Sequence, residues 1–324
     1  MYEDFYKFER QPFTNIPDPG LLYMSPQHQR ALSILQYALM ARAGFCVITG
    51  DVGAGKTTLL RSVLQNLEFE VEIGLVSNTQ CDSFEEFLSW ILLAFDLDQG
   101  NKSKVEMYDT FVKYLIEQHD KGRPVTLIID EAQHLGYKYL EQLRMLSNVN
   151  TEKGQLLQTI LVGQPELWDL LRRPELEQFA QRISYDYFLS PLEDTTLTEQ
   201  YIKTRLEKVG CEEDIFASDT FDTIWKATGG VPRLINLLCD TALVYGYAEQ
   251  KEQIDLAVIE QVIKDKERSF SPIGKKQAPA PASPNFRAPM PVNPNFSSED
   301  MPALDDEAMK KLSTIERAAL KLRK

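Results

Sequence analysis

Over its first 190 positions the chain alternates two patterns of apolar residues. Short continuous runs, rich in β-branched side chains, predict buried strands at 45–49, 73–78, 125–130, 158–163 and 183–189. Between them, apolar residues recur every three to four positions. That spacing predicts helices at about 26–42, 56–67, 83–95, 105–120, 138–148 and 166–181. Ser25 and Pro26 give the first of these a capping residue and a first-turn proline. Strands separated by helices imply a five-stranded parallel sheet with helices on both faces, an α/β domain over residues 1–190.

Past Ser190-Pro191 the strand signal stops. Helical spacing continues at about 195–208, 218–228, 232–248 and 255–267, which predicts a small all-α domain over residues 191–268. Residues 269–302 hold eight of the seventeen prolines, with Ala, Ser and Asn, and read as a disordered or extended linker. Residues 303–324 regain helical periodicity. Leu304, Ala308, Leu312, Ile315, Ala319 and Leu322 form one apolar stripe, with acids at its start and bases at its end. Such a C-terminal helix is expected to dock on the chain's own body, a neighbouring subunit or a partner.

Two of the predicted strands end in residues with specific chemistry. The first runs into Gly50-Asp51-Val52-Gly53-Ala54-Gly55-Lys56-Thr57, followed by Thr58 and a helix. Strand, glycine loop and helix start make a phosphate-binding loop: backbone N–H groups turn onto phosphate oxygens at a helix N-terminus. Lys56 is expected on the outer phosphates of ATP and Thr57 on Mg²⁺. The third strand ends in Asp130-Glu131, in the manner of a Walker B strand. Asp130 is placed to hold Mg²⁺, and Glu131 to orient and deprotonate a water. The fourth strand ends at Gly163-Gln164-Pro165, where Gln164 could touch the terminal phosphate or the water. Asn78, ending the second, could restrain Glu131. Arg182 precedes the last strand and is placed to reach a neighbour's nucleotide across a subunit boundary, with Arg172 and Arg173 as competitors. In the helical region, Gly229-Gly230-Val231-Pro232-Arg233 aims Arg233 from a helix start towards the phosphates.

Composition narrows the setting. The net charge is −13, and the chain from Ser269 onward holds nine Lys or Arg against six Asp or Glu. The preceding body is therefore strongly acidic, which disfavours non-specific DNA binding. No apolar run approaches the ~20 residues of a membrane-spanning helix. Met-Tyr-Glu-Asp-Phe-Tyr is no secretory signal. Cys46, Cys81, Cys211 and Cys239 lie far apart and read as reduced thiols, which points to the cytoplasm. His28, His119 and His134 form no ligand spacing and are taken as structural or surface residues.

Taken in order, the phosphate loop, Asp130-Glu131, Gln164, Arg182 and Arg233 resemble an AAA+ ATPase with its helical lid. Gln11-Pro12-Phe13, Leu22-Tyr23-Met24-Ser25, His28-Gln29-Arg30-Ala31-Leu32, Asp130-Glu131-Ala132-Gln133 and Leu161-Val162-Gly163-Gln164-Pro165 narrow the resemblance to the ExeA/GspA type, over residues 1 to about 268. The resemblance implies an ATP-hydrolysing protein that forms a homo-oligomeric ring or filament with ATP. It also implies partners in a cell-envelope assembly system of the secretion, pilus or exopolysaccharide kind. Residues 13–24 would help to wall the adenine pocket. The full-length secretion protein continues into a transmembrane helix and a peptidoglycan-binding domain. Here a linker and one amphipathic helix follow, so the expectation is a cytoplasmic form, at most peripheral at the inner membrane through a partner. Transposition-regulator ATPases, which assemble on DNA, share the core and the Arg233 element and form the alternative. A nucleotide-gated scaffold that does not hydrolyse ATP is a third reading, and the intact Glu131 counts against it.

Overall fold

Three strands are buried at every position: β1 (Phe45–Gly50), β3 (Val125–Ile129) and β6 (Leu157–Gly163). That is the signature of central strands in a parallel sheet covered on both faces. With β2 (Glu72–Val76) and β7 (Ile183–Leu189) they form a five-stranded sheet in the order β2-β3-β6-β1-β7, every pairing parallel. The computed structural model describes residues 1–67, 70–77, 80–100, 102–151, 154–268 and 273. The expected linker, Ile273 apart, and the expected C-terminal helix lie outside the described residues, as does Asn78.

Successive strand residues point to opposite faces, so each central strand serves two cores. Cys46, Ile48, Ile128, Ile160 and Val162 pack under α2 (Pro26–Met40) and α3 (Lys56–Gln65). Val47, Leu127, Ile129 and Leu161 pack on the other side. There they meet α4 (Phe84–Ala94), α5 (Lys104–Asp120), α6 (Tyr137–Leu146) and α7 (Pro165–Leu171). Side-chain caps start several of these helices where the spacing places them: Ser25, Ser83 and Ser103 each accept from a first-turn N–H.

The single helix expected over 166–181 is broken. After α7 come a 3-10 turn at Pro174–Leu176 and the short α8 (Glu177–Ala180). Pro174 cannot donate to the helix ladder and disfavours helical geometry at Arg173, which is extended with ψ 143. The strand expected over 73–78 closes at Val76. A two-stranded hairpin, β4 (Asn150–Thr151) with β5 (Gly154–Gln155), was not expected; strands of two residues leave no periodicity to read.

The helical region contains α9 (Thr195–Glu207), α10 (Thr220–Thr228), α11 (Pro232–Ala248) and α12 (Leu256–Glu267) around Ile202, Ile224, Ile235, Leu238 and Ile259. The start of the chain shares this core. Tyr2, Tyr6, Phe8, Phe13 and Leu21 are buried in it, the first of them on the one-turn helix α1 (Tyr2–Phe5). Buried Arg205 fixes the segment, with Nε donating to Pro12 O at 2.7 Å and an Nη to Thr14 O at 3.3 Å. Asn236 Nδ2 also donates to Thr14 O, and Lys208 Nζ donates to Leu22 O at 2.7 Å. Residues 2–22 are thus a strap on the lid. Ile273, fully buried in the same cluster, carries that core past residue 268.

Candidate functional site

Because all five strands run the same way, the carboxyl ends of β1, β3 and β6 open on one edge of the sheet. Ligands of open α/β sheets gather at that edge. The loop from Gly50 leaves β1 there. Gly53 (φ 84) and Gly55 (φ 100) both take left-handed backbone conformations, and Gly55 caps α3. Neither position has room for a side chain. A Cβ at Gly53 would lie 2.4 Å from Arg233 Cβ, and one at Gly55 would lie 2.8 Å from His28 Nε2.

Lys56 is buried, and its Nζ donates to Gly50 O at 2.7 Å and Asp51 O at 3.0 Å. Burial lowers its affinity for a proton, opposed by Glu131, Asp130, Asp51 and Glu166 nearby. Thr57 Oγ1 donates to Asp130 Oδ2 at 2.9 Å, and Asp130 Oδ1 accepts from the Glu131 N–H at 2.9 Å. Burial raises the Asp130 carboxyl above the ordinary carboxylate range despite these bonds. Val52 stands exposed at the loop tip, and Thr58 lies half-buried in the first turn of α3.

Glu131 has φ 54, an uncommon value for a residue with a side chain, and opens a 3-10 turn at Ala132–His134. Its Oε2 accepts from Gln133 Nε2 at 2.6 Å and from Gln164 Nε2 at 3.1 Å. Burial raises this carboxyl, but those two bonds and Lys56 outweigh it, and the net shift is downward. Gln164 sits at the end of β6, its own N–H donating to Gln133 Oε1 at 3.0 Å. Arg233, on the first turn of α11, is exposed, with its N–H donating to Gly53 O at 3.2 Å. The lid therefore touches the glycine loop directly.

Gly50 to Thr58, Asp130, Glu131, Gln164 and Arg233 are thus brought to one edge. Arg182 is not. Ile183 pairs with Phe45 at the start of β1, so Arg182 lies at the amino ends of the strands. Six residues at about 3.3 Å each put it roughly 20 Å from its own loop. There its guanidinium donates to Asn148 Oδ1. Arg172 lies over the Trp168 ring. Two residues at the site were not singled out from the sequence. Gln133 bridges Glu131 and Gln164; its signal was its place in the Asp130-Glu131-Ala132-Gln133 motif, which assigned it no role. Buried His28 hydrogen-bonds to Ser25 Oγ through Nδ1 at 2.7 Å and backs the loop at Gly55.

The donor set suits a magnesium-bound nucleoside triphosphate. Thr57 and Asp130 offer hard oxygen donors side by side, as Mg²⁺ prefers. Buried Lys56 faces more carboxylates than it can neutralise: Asp51, Asp130, Glu131 and Glu166.

This glycine loop, carboxylate pair and polar strand end, under a helical lid whose arginine rests on the loop, form the nucleotide-binding fold of the AAA proteins. Residues 39–171 match the family described as AAA domain. Within it the chain is similar to the ExeA/GspA type. It is 40% identical over 257 residues to the general secretion pathway protein A of Aeromonas hydrophila, a match covering 78% of this chain and 46% of that protein. The chain thus spans less than half the length of that relative. Among solved structures, the Aeropyrum pernix ORC2 protein with ADPNP and ADP superposes with a TM-score of 0.61 at 16% identity, covering 79% of this chain and 71% of that one. Drosophila ORC bound to DNA gives 0.63 at 14% identity, covering 83% and 67%. These two likenesses are of fold alone. Among the described residues no helix is long and apolar enough to cross a membrane.

Proposed function

We propose that the chain hydrolyses ATP to ADP and phosphate, and that this cycle drives its assembly and the remodelling of a cell-envelope complex. One observation carries the chemical part: hydrogen bonds link Thr57, Asp130, Glu131 and Gln164, from three separate strand ends, and the Lys56 charge lies near both carboxylates. Phosphoryl transfer needs positioning and charge neutralisation more than covalent chemistry. Lys56 exchanges the carbonyls of Gly50 and Asp51 for outer phosphate oxygens, and the loop N–H groups add to it. Thr57 and Asp130 are the residues that would hold Mg²⁺, which when bound neutralises phosphate charge. Gln164 reaches the terminal phosphate, and the Glu131 carboxylate takes a proton from the attacking water. Arg233 reports the state of the loop to the lid. Arg182, remote from its own site, is proposed to complete a neighbour's site in a ring or filament.

The envelope role rests on the similarity to the secretion protein. That similarity supports a cytoplasmic location, with contact to the inner membrane only through a partner. The test is an ATPase assay beside nucleotide-binding measurements. Lys56→Ala should lose nucleotide binding. Glu131→Gln should bind ATP but turn it over at least ~100-fold more slowly. No turnover by the wild type, or unchanged ATP affinity in Lys56→Ala, would sink the chemical reading. Partner capture by Glu131→Gln held in ATP tests the envelope reading, which fails if no envelope protein is retained.

A further inference from the structure

Gln133 uses both ends of its amide, on two different loops. Nε2 donates to Glu131 Oε2 at 2.6 Å, while Oε1 accepts from the Gln164 backbone N–H at 3.0 Å. A backbone N–H can only donate, so the amide oxygen must face it and the amino group must face the carboxylate. Gln164 Nε2, at 3.1 Å from the same Glu131 oxygen, closes a ring of three residues through the Gln164 backbone N–H. His134 Nε2 lies 3.2 Å from Gln133 Nε2, at the rim. Two backbone features suit this ring. The left-handed conformation of Glu131 (φ 54, ψ 36) starts the tight turn that folds Gln133 back over it. Gly163 leaves the space that Gln133 occupies, since a Cβ there would lie 2.9 Å from Gln133 Oε1.

We propose that Gln133 is a positioning residue, holding the Glu131 carboxylate at Oε2 and tying it to the loop that carries Gln164. The inference rests on the proposed role of Glu131 in activating water. A glutamate has three side-chain torsions, and a displacement of about 1 Å in a reacting group can cost on the order of 100-fold in rate. Gln164 cannot serve as the tether by itself, because in the proposed reaction its amide turns to the terminal phosphate. Gln133 is anchored to the backbone of residue 164, not to its side chain. It therefore keeps hold of Glu131 while the Gln164 amide moves.

Gln133→Met keeps the volume and removes both hydrogen bonds. Gln133→Glu keeps the shape and sets a like charge against Glu131. Gln133 is only half-buried, so neither change threatens the fold. Gly163→Ala pushes on the same amide from the other side, and also on buried Leu167, whose Cδ2 would lie 2.8 Å from the new Cβ. All three should lower kcat by ~10–100-fold with ATP affinity held within about twofold. That split marks an interaction used in the reacting state and not in binding. Wild-type kcat in Gln133→Met would overturn the proposal. So would a loss of ATP affinity as large as the loss of kcat. A wild type with no turnover would instead refute the proposed function, and this inference with it; the two failures differ in which protein is silent.

Discussion

Phe13→Ala tests whether the first residues of the chain hold the lid together. Phe13 is 2% exposed and meets Phe216 edge-on, ring centroids 6.0 Å apart at 88°. Removing a buried phenylalanine ring costs about 3–5 kcal/mol, the spread depending on how far the cavity collapses. Collapse is resisted here, because Arg205 pins the carbonyls of Pro12 and Thr14 on either side of the ring. The upper half of that range is therefore expected. At about 1.4 kcal/mol per tenfold, the unfolding equilibrium moves by roughly three powers of ten. The whole domain is expected to hold only about 5–15 kcal/mol. Trp225, on α10, donates to Leu192 O at 3.1 Å and reports on the lid. In a protein with Trp90 and Trp168 replaced by Phe, urea unfolding followed at Trp225 should show a lower midpoint with an unchanged slope. A loss below about 1 kcal/mol would refute the reasoning. It would mean that residues 2–22 lie on the lid without stabilising it.

His28 is buried and its imidazole is pushed down to about 4, chiefly by desolvation. Below the ordinary value of about 6.5 the unfolded chain takes up a proton that the folded chain refuses, so stability falls as pH drops from about 6.5 to about 4. At pH 5 the wild type should have lost roughly 2 kcal/mol more than His28→Gln, both measured against pH 7.5; equal pH slopes would show that His28 titrates normally. Arg182→Ala should bind ATP and hydrolyse it slowly, and mixing it with Lys56→Ala subunits should restore part of the rate, because one class of boundary then has both groups intact. Normal turnover by Arg182→Ala alone would end its role in trans. Deleting residues 278–324 should leave the melting temperature and ATP affinity unchanged while weakening assembly or partner capture. Unfolding of the truncated protein would mean that the expected C-terminal helix belongs to the folded body. A gel shift at physiological salt should show no DNA retained by this acidic body; tight binding would favour the transposition-regulator alternative.

What could be read from the sequence was local. The strands that hold the site were visible because β1, β3 and β6 are buried at every residue, which leaves unbroken apolar runs. The glycine loop was visible because its chemistry and its backbone demands fall within eight consecutive positions. The strap was not. Tyr2, Tyr6, Phe8, Phe13 and Leu21 follow no period, since each fills a separate gap in a surface built some two hundred residues later. Gln133 escaped for a different reason. Glutamine is ordinarily a surface residue, and its importance comes from partners on two loops that only the folded sheet brings together. His28 carried a faint signal in retrospect: it stands three residues after a capping serine, where a side chain can fold back on the cap. The break at Pro174 was legible in principle, and the helical spacing on either side masked it.

The strap also sets a timetable for synthesis. Its aromatic residues leave the ribosome well before the lid does, since Phe216, against which Phe13 packs, is made about two hundred residues later. At about 5–20 residues per second that is roughly 10–40 s during which the apolar start of the chain has no lid to enter. The sheet can form in that interval without it. These apolar residues are thus made long before the core that buries them. For that interval the nascent chain offers Tyr2, Tyr6, Phe8 and Phe13 to any chaperone or neighbouring chain at the exit tunnel.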